Sequence, residues 1–188
     1  MSAAGSLTGW TYAEYARLPD DGNRYEVLDG QVLMTPAPGT PHQRIAARLY
    51  VELNAHVTEH RLGEVMWDID LLFMPGQFLR PDMLVVPASA RDSLTDRGME
   101  GCPSLVVEVV SPSSKKNDRV TKPARYAAFG VPEYWAVDLE GKSIWVWDFA
   151  AGATEPTVEG QVVVWQPDAG ARDVPALEIA VPALFEVQ

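Results

Sequence analysis

The sequence predicts an α/β protein with a central mixed β-sheet flanked by helices, and three observations lead to this class. β-rich runs recur along the chain, one long segment has a helical repeat of apolar side chains, and a strand–helix–strand order follows it. At 188 residues, 47% of them hydrophobic, the chain is long enough for one domain with a proper core. We therefore expect a single domain over residues 1–188, with a helical lead over 1–22 and a β-rich extension over 142–188.

The N-terminal elements are predicted from spacing and turn chemistry. Large apolar side chains fall at near-helical spacing between residues 10 and 18, after Thr8 as a possible cap, which predicts a short amphipathic helix. The run RYEVLDGQVLMTP predicts a β-hairpin, because its Asp29-Gly30 dipeptide tolerates the positive φ angles of a tight turn.

A long helix and an alternating strand come next. An apolar residue recurs every fourth position from Pro41 to about Arg61, which predicts a helix that buries one stripe and ends by Gly63. VMWDIDLLFMP then alternates, which predicts one strand with a wet face carrying Asp68 and Asp70. Its other face would carry four apolar side chains: Trp67, Ile69, Leu71 and Phe73.

The remaining elements are mostly strands. RPDMLVVP predicts a strand from Met83 to Val86 with Asp82 at its start, and the polar residues 88–101 predict a short helix or loop. LVVEVV predicts a strand, followed by a Ser-Pro-Ser-Ser loop, a helix to about Phe129 and a strand at EYWAVDL. The tail adds three further β segments: SIWVWDF, QVVVWQ and ALEIAVPALF.

The composition of the chain limits where the protein can be located and which partners it can bind. No apolar stretch approaches the roughly 20 residues of a membrane span, and the first residues lack a basic region with an apolar core, so we expect a cytoplasmic protein. Cys102 is the lone cysteine, which precludes an internal disulfide. The formal net charge of -11 argues against a surface that holds nucleic acid by charge alone, because phosphate binding draws on clustered lysine and arginine.

The acid within LVVEVV points to chemistry. A continuous apolar strand between Pro103 and Pro112 is typical of a strand covered on both faces, so Glu108 needs a counter-charge. Asp82 starts the preceding strand, and pairing of the two strands would let both carboxylates share one ion, for which Mg²⁺ or Mn²⁺ is suited. The alternatives are an ion pair between Glu108 and an arginine such as Arg125, and a turn role for Asp82.

Several motifs together resemble a known family. Six motifs stand in the order of that family: RYEVLDGQV, PHQRI, RPDMLVV, LVVEVVSPSS, the K-x-x-x-Y-A run and GVPEYWAVD. The chain resembles the Uma2 (DUF820) family of restriction-type endonucleases, within the PD-(D/E)XK nuclease superfamily. The resemblance implies a restriction-endonuclease-like fold and metal-dependent hydrolysis of DNA, with Asp82 and Glu108 as metal ligands. It also implies Glu26 as an accessory acid, although strand alternation alone would equally place Glu26 on the exposed face of the hairpin.

The chain departs from the superfamily signature at its lysine. The signature has lysine two residues after the glutamate, where this chain has Val110, and the residue that matches the Uma2 pattern is Lys122. A lysine there would orient the attacking water or stabilise the transition state. Pro123 requires either that the helix begins near Thr121, with Thr121 as its cap, or that it is kinked. Two other lysines are substitutes for this role: Lys115 and Lys116.

Histidines and tryptophans receive structural interpretations. His42, at the start of the long helix, is typical of a capping or packing residue. His56 and His60 have the four-residue spacing of a zinc pair but no third ligand, so we expect them at the surface. Three tryptophans in the tail are more typical of a core or a subunit interface than of base stacking, and we favour the interface, which suggests a homodimer: Trp145, Trp147 and Trp165.

Three functions follow from these residues. The first is a Mg²⁺-dependent endonuclease that acts on DNA. The second is a catalytically silent nuclease-like module that binds protein or nucleic acid, which the acidic charge and Pro123 favour. The third is a metal-dependent hydrolase of a small phosphate ester, which the acidic charge would not hinder.

Overall fold

The computed structural model of the protein describes residues 9–74, 76–111, 114–167 and 174–186. These ranges contain two six-stranded sheets and one two-stranded sheet. The α-helices are α1 (Tyr12–Tyr15), α2 (Thr40–Glu59), α3 (Lys122–Ala128) and α4 (Val181–Phe185). The strands are β1 (Arg24–Leu28), β2 (Gln31–Thr35), β3 (Gly63–Trp67), β4 (Leu71–Met74), β5 (Gln77–Leu79), β6 (Met83–Pro87), β7 (Leu94–Thr95), β8 (Gly98–Met99), β9 (Leu105–Val110), β10 (Glu133–Asp138), β11 (Ser143–Asp148), β12 (Thr157–Glu159), β13 (Val162–Trp165) and β14 (Leu177–Ala180). Among the helices of the described ranges, none is both long and apolar enough to cross a bilayer.

The central sheet is the mixed sheet that the sequence predicts. Its strand order is β12-β11-β10-β9-β6-β3. β9 and β10 are parallel, and every other neighbouring pair is antiparallel. α3 lies in the connection between the two parallel strands, which confirms the predicted strand–helix–strand crossover.

Both faces of the central sheet are covered. All six residues of β9 are buried, and their side chains alternate between two hydrophobic clusters. Val107 and Val109 pack with the apolar stripe of α2, while Val106 and Val110 pack with residues of the outer sheet and Tyr126 of α3. Alternation therefore places Glu108 on the face that meets α3 and the outer sheet.

The outer sheet contains the predicted hairpin. Its strand order is β2-β1-β5-β4-β8-β7, and β1 pairs with β2 across Asp29 and Gly30, whose φ angles are 53° and 76°. The hairpin is thus confirmed, but it belongs to a second large sheet beyond the single central sheet that the sequence predicts. β1 joins β5 through the pair Val27 and Phe78.

The single strand predicted for VMWDIDLLFMP is wrong. β3 ends at Trp67 in the central sheet, and β4 begins at Leu71 in the outer sheet. Asp68 interrupts the run with a φ of 54°, and its N–H donates to the Asp82 carbonyl oxygen at 3.2 Å. The alternation of the sequence therefore runs from a strand of one sheet into a strand of the other. Trp67, predicted on the buried side, is 59% exposed.

Helix ends also differ from the prediction. Thr8 lies outside the described residues, and α1 is capped by Thr11, whose side chain accepts from the Glu14 N–H while the Glu14 carboxylate accepts from the Thr11 N–H. α2 ends at Glu59, and Gly63 starts β3, where a Cβ would lie 1.9 Å from the Val86 carbonyl oxygen.

Two later segments are more varied than predicted. Residues 88–93 form a 3₁₀ helix, and the two short strands β7 and β8 follow it. The segment ALEIAVPALF is strand only as far as Ala180, because Pro182 stands in the first turn of α4.

The tail tryptophans lie against this chain's own core, which corrects the predicted interface role. Trp147 and Trp165 are 4% and 1% exposed. Trp145 is half-buried, with the Arg119 guanidinium 4.1 Å from its ring centroid. These side chains fill the two faces of the central sheet, so they no longer favour a homodimer.

Candidate active site

One buried lysine lies at the centre of three carboxylates. Lys122 is 3% exposed, and its Nζ lies 2.7 Å from Glu108 Oε1 and 2.9 Å from Glu26 Oε2. Asp118 Oδ1 is 3.5 Å from the same nitrogen. All three acids are themselves buried, so water screens their charges little.

Four elements bring these groups together. Glu108 comes from β9, Glu26 from β1 of the outer sheet, and Lys122 from the first residue of α3. Asp118 comes from a π-helical turn over Asn117–Thr121 that runs directly into α3. The site therefore forms only where the hairpin, the central sheet and α3 meet.

Pro123 has a structural explanation in the π turn. Proline has no N–H, and its ring would clash with a carbonyl one α-turn earlier, so a wider turn before it relieves both problems. α3 does begin beside Thr121, as predicted, but Thr121 makes no side-chain cap hydrogen bond. The helical backbone continues upstream through the π turn, and Asp118 and Lys122 come together at a spacing of four residues.

Asp82 lies beside this cluster, immediately before the first residue of β6. The antiparallel register of β6 and β9 pairs Met83 with Val107, so Asp82 and Glu108 are next in line. Asp82 Oδ2 accepts from the Val109 N–H at 2.8 Å, so its side chain bonds to the neighbouring strand. The predicted pairing of the two strands is confirmed, and the Asp82 side chain bonds across to β9, which does not agree with a turn role.

Two basic side chains hold the Asp82 carboxylate. Arg24 Nη1 donates to Asp82 Oδ1 at 2.5 Å, and His42 Nε2 lies 2.9 Å from Asp82 Oδ2. Burial would raise the pKa of Asp82, but His42 and Arg24 together lower it below the ordinary value. Asp82 is therefore an ionised carboxylate.

The lysine cluster has more negative than positive charge. Burial raises the pKa of Glu108 well above its ordinary value; Lys122 opposes this shift, and Asp118 and Glu26 add to it. Burial likewise raises the pKa of Asp118. For Lys122, burial acts to lower the pKa, but the surrounding carboxylates outweigh it and raise the pKa well above 10.5. The raised pKa of Lys122 is consistent with the raised pKa values of Glu108 and Asp118, because one charged ammonium cannot neutralise three acids.

Hydrogen bonds from neighbouring groups orient the cluster. Tyr126 Oη donates to Glu108 Oε1 at 3.1 Å, and the Arg80 N–H donates to Glu26 Oε1 at 2.9 Å. Burial raises the pKa of Tyr126 well above its ordinary value, so it remains a neutral donor. Such bonds hold carboxylates in a defined geometry before any ligand arrives.

All four predicted site residues line one cavity of about 50 Å³: Glu26, Asp82, Glu108 and Lys122. Glu26 is 7% exposed, so the alternative that places it on the outer face of the hairpin is wrong. Arg125 does not reach Glu108, because it pairs with Asp29 at the surface. Lys115 pairs with the exposed Glu140 and Lys116 is exposed, so neither substitutes for Lys122.

Sequence reasoning missed three residues of this site. Asp118 could have been found from its four-residue spacing to Lys122 in a helical segment. Arg24 is two residues from Glu26 in β1 and therefore shares its face. His42, interpreted as a capping or packing residue, instead contacts Asp82.

The other histidine prediction is wrong in part. His56 is buried and lies with its ring centroid 4.6 Å from that of His60 and 6.1 Å from that of Trp165. Within the part of the chain that the structure describes, no group of three or more histidine, cysteine, aspartate or glutamate side chains is preformed to hold a metal ion.

The donor set around the cavity nevertheless suits a hard divalent cation. Four carboxylates line the cavity against one lysine and two arginines, and both arginines also pair with Asp68. The buried Asp118 Oδ1 accepts no hydrogen bond, although the Lys122 ammonium lies 3.5 Å from it. Mg²⁺ binds through one or two protein carboxylates and keeps several waters, and a cavity of about 50 Å³ has room for a few waters.

A mixed sheet covered on both faces, with acids at neighbouring strands and a lysine from the following helix, defines an α/β protein with a buried charged site. The chain belongs to the Uma2 family, since residues 12–175 match the family model described as "Putative restriction endonuclease". A crystal structure of "a putative nuclease belonging to DUF820" from Anabaena variabilis ATCC 29413 is similar to it, with a TM-score of 0.73. Identity is 17% over 94% of this chain and 97% of that chain, so this likeness establishes the fold alone. No curated protein matches the chain.

The predicted family and the predicted restriction-endonuclease-like class are thereby confirmed.

Proposed function

We propose that this chain hydrolyses phosphodiester bonds in nucleic acid, with DNA as substrate and Mg²⁺ or Mn²⁺ as cofactor. The observation that carries the proposal is the buried lysine among three carboxylates, next to Asp82 in the same cavity. Membership of the Uma2 family supports the same reaction class.

Asp82 and Glu108 are the residues that would hold the cation. They lie next to each other on paired strands, and Asp118 adds a third carboxylate from the π turn. When bound, a divalent cation supplies Lewis-acid chemistry, which lowers the pKa of a water and offsets charge on the phosphate. Arg24 and His42 keep the Asp82 carboxylate ionised and aimed at the cavity.

Lys122 acts as a fixed cation and hydrogen-bond donor. Because the surrounding carboxylates raise its pKa, it keeps its proton near neutral pH and does not serve as a general base. Its ammonium can donate to the attacking water or to a phosphate oxygen, and thereby stabilise the negative charge that develops in the transition state. Glu26, itself held by the Arg80 N–H, positions the ammonium.

Plasmid nicking in Mn²⁺ tests this function. We expect the wild type to nick supercoiled DNA and Asp82→Asn to lose at least about 100-fold in rate, since a bound metal supplies several kcal/mol of transition-state stabilisation. Glu140→Gln is the matched control, because Glu140 is an acid in a surface ion pair. A wild type that is folded and binds the cation but does not nick DNA would contradict the proposal and favour a silent binding module. Cleavage of a small phosphodiester but not of DNA would instead indicate the small-ester hydrolase.

Calorimetric titration with Mn²⁺ tests the cation site separately. Burial raises the pKa of Glu108 and Asp118, so protons occupy these carboxyls at lower pH and must leave when a cation binds. We therefore expect tighter binding and less proton release at about pH 8 than at about pH 6. Glu108→Ala should bind far more weakly, and equal binding by wild type and Glu108→Ala would exclude this site.

A further inference from the structure

An exposed indole marks a second cavity beside the candidate active site. Trp67, the last residue of β3, is 59% exposed, whereas Trp135 and Trp165 are 0% and 1% exposed. Together with Tyr50 of α2 it lines a cavity of about 480 Å³, a size that suits a small organic group. The helix side of this cavity is formed largely by small and apolar residues: Ala46, Ala47 and Val51.

The second cavity adjoins the first. Both cavities are lined by Arg24, His42 and Asp82. The register of β3 and β6 places Trp67 opposite Met83, one residue from Asp82 on the adjacent strand. A group bound on Trp67 would therefore belong to the nucleotide next to the phosphate at the proposed cation site of Asp82 and Glu108.

The indole is held in place although it is exposed. The rings of Trp67 and Tyr50 lie with centroids 4.9 Å apart and planes at 74°, the edge-to-face arrangement that aromatic pairs prefer. Tyr50 is in turn fixed by α2, which is anchored through the fully buried Leu49 and Leu53. Most of the indole surface therefore remains available in a defined orientation, which lowers the entropy loss on binding.

We propose that Trp67 stacks on an unpaired nucleobase, so that the substrate is nucleic acid that is single-stranded or locally unpaired beside the scissile phosphate. This inference rests on the proposed function for the position of the phosphate. In a duplex each base face is covered by its neighbours, so an indole can stack only on a base that has left the helix.

The charge of the chain also favours stacking. A formal net charge of -11 weakens any attraction to the phosphate backbone. Stacking on an aromatic side chain does not depend on net charge, and it is tolerant of base identity because every base has a π face. An acidic nuclease thus gains affinity for nucleic acid through bases.

Oligonucleotide binding tests this inference without requiring cleavage. In the Glu108→Gln background, in which we expect no cleavage, fluorescence anisotropy without divalent cations would measure the affinity for a labelled single-stranded oligonucleotide. Trp67→Ala and Trp67→Leu are expected to weaken binding by about 10-fold or more, and Trp67→Phe by less. The same oligonucleotide annealed to its complement should bind more weakly and respond little to Trp67 substitution.

Val158→Ala is the matched control, because Val158 is 55% exposed on β12, at the opposite edge of the central sheet. It should leave binding unchanged. The inference would be overturned if Trp67→Leu bound the single-stranded oligonucleotide as tightly as the protein that retains Trp67, or if neither protein bound it. Trp67-dependent binding together with an inactive wild type would instead retain the base site and reject hydrolysis.

Sedimentation velocity separates base stacking from a subunit contact. If Trp67→Ala converts a dimer to a monomer and leaves oligonucleotide affinity unchanged, Trp67 binds a second copy of this chain and the stacking proposal is wrong. We expect the sedimentation coefficient to be the same with and without this substitution.

Discussion

Replacement of Lys122 by methionine is expected to lower the free energy of unfolding by about 3–5 kcal/mol, the usual cost of removing one partner from a buried ion pair. Methionine retains much of the buried volume but leaves Glu108, Glu26 and Asp118 without the ammonium that lies within 3.5 Å of each of them. Denaturant unfolding without divalent cations would measure the loss.

The loss should depend on pH. Without the lysine, the pKa values of Glu108 and Asp118 rise further, so the folded state binds more protons than the unfolded state and stability falls as pH increases above 4.5, the ordinary pKa of glutamate. Lys115→Met is the control, because the ion pair of Lys115 with Glu140 lies at the surface and contributes little. Equal effects of the two substitutions would show that Lys122 does not compensate the buried acids.

Replacement of Glu108 by glutamine is expected to abolish cleavage, with a loss of about 1000-fold or more, without loss of stability. The activity falls because glutamine supplies no anionic ligand to a cation. The stability is maintained because Lys122 keeps Glu26 and Asp118 as partners, while one charge is removed from a site with surplus negative charge.

The sign of the stability effect follows from the pKa of Glu108. Burial raises this pKa, so Glu108 contributes most favourably below pH 4.5 and progressively less as pH rises through its folded-state value. Glu108→Gln should therefore unfold at equal or higher denaturant concentration than wild type at about pH 8, and its stability should depend less on pH. Nicking measured on the same samples completes the test, and a variant that is unstable but active would contradict both expectations.

These two substitutions separate stability from function within one cluster. Lys122 compensates the buried acids in the absence of a cation, whereas Glu108 is costly to bury and, in the proposed function, is there to bind a cation. A cluster in which the acids outnumber their internal cations is typical of a functional site, because a purely structural network would be better balanced.

Local features of the sequence predicted much of the fold. Asp29-Gly30 predicted the hairpin turn, a four-residue apolar repeat predicted α2, and the apolar run around Glu108 predicted a strand covered on both faces. Each of these signals depends on a few neighbouring residues and on the backbone period, so it survives in any tertiary context. The burial of Glu108 implied a partner, and Asp82 was predicted as that partner because it starts the adjacent strand.

Other features depended on contacts between residues distant in the chain. The break at Asp68 was invisible in the sequence because the apolar alternation runs from a strand of one sheet into a strand of the other. Trp147 and Trp165 entered the core while Trp67 stayed exposed, although all three lie in strands with similar patterns.

The sequence established the pattern of strands and helices, the buried glutamate and its upstream partner, because periodicity and the cost of burying charge act locally. The assembly of Arg24, His42 and Asp118 around that pair, and the cavity beside Trp67, depended on how two sheets and two helices pack. Side chains from separate segments converge only when those segments dock, and no local pattern encodes the geometry of docking.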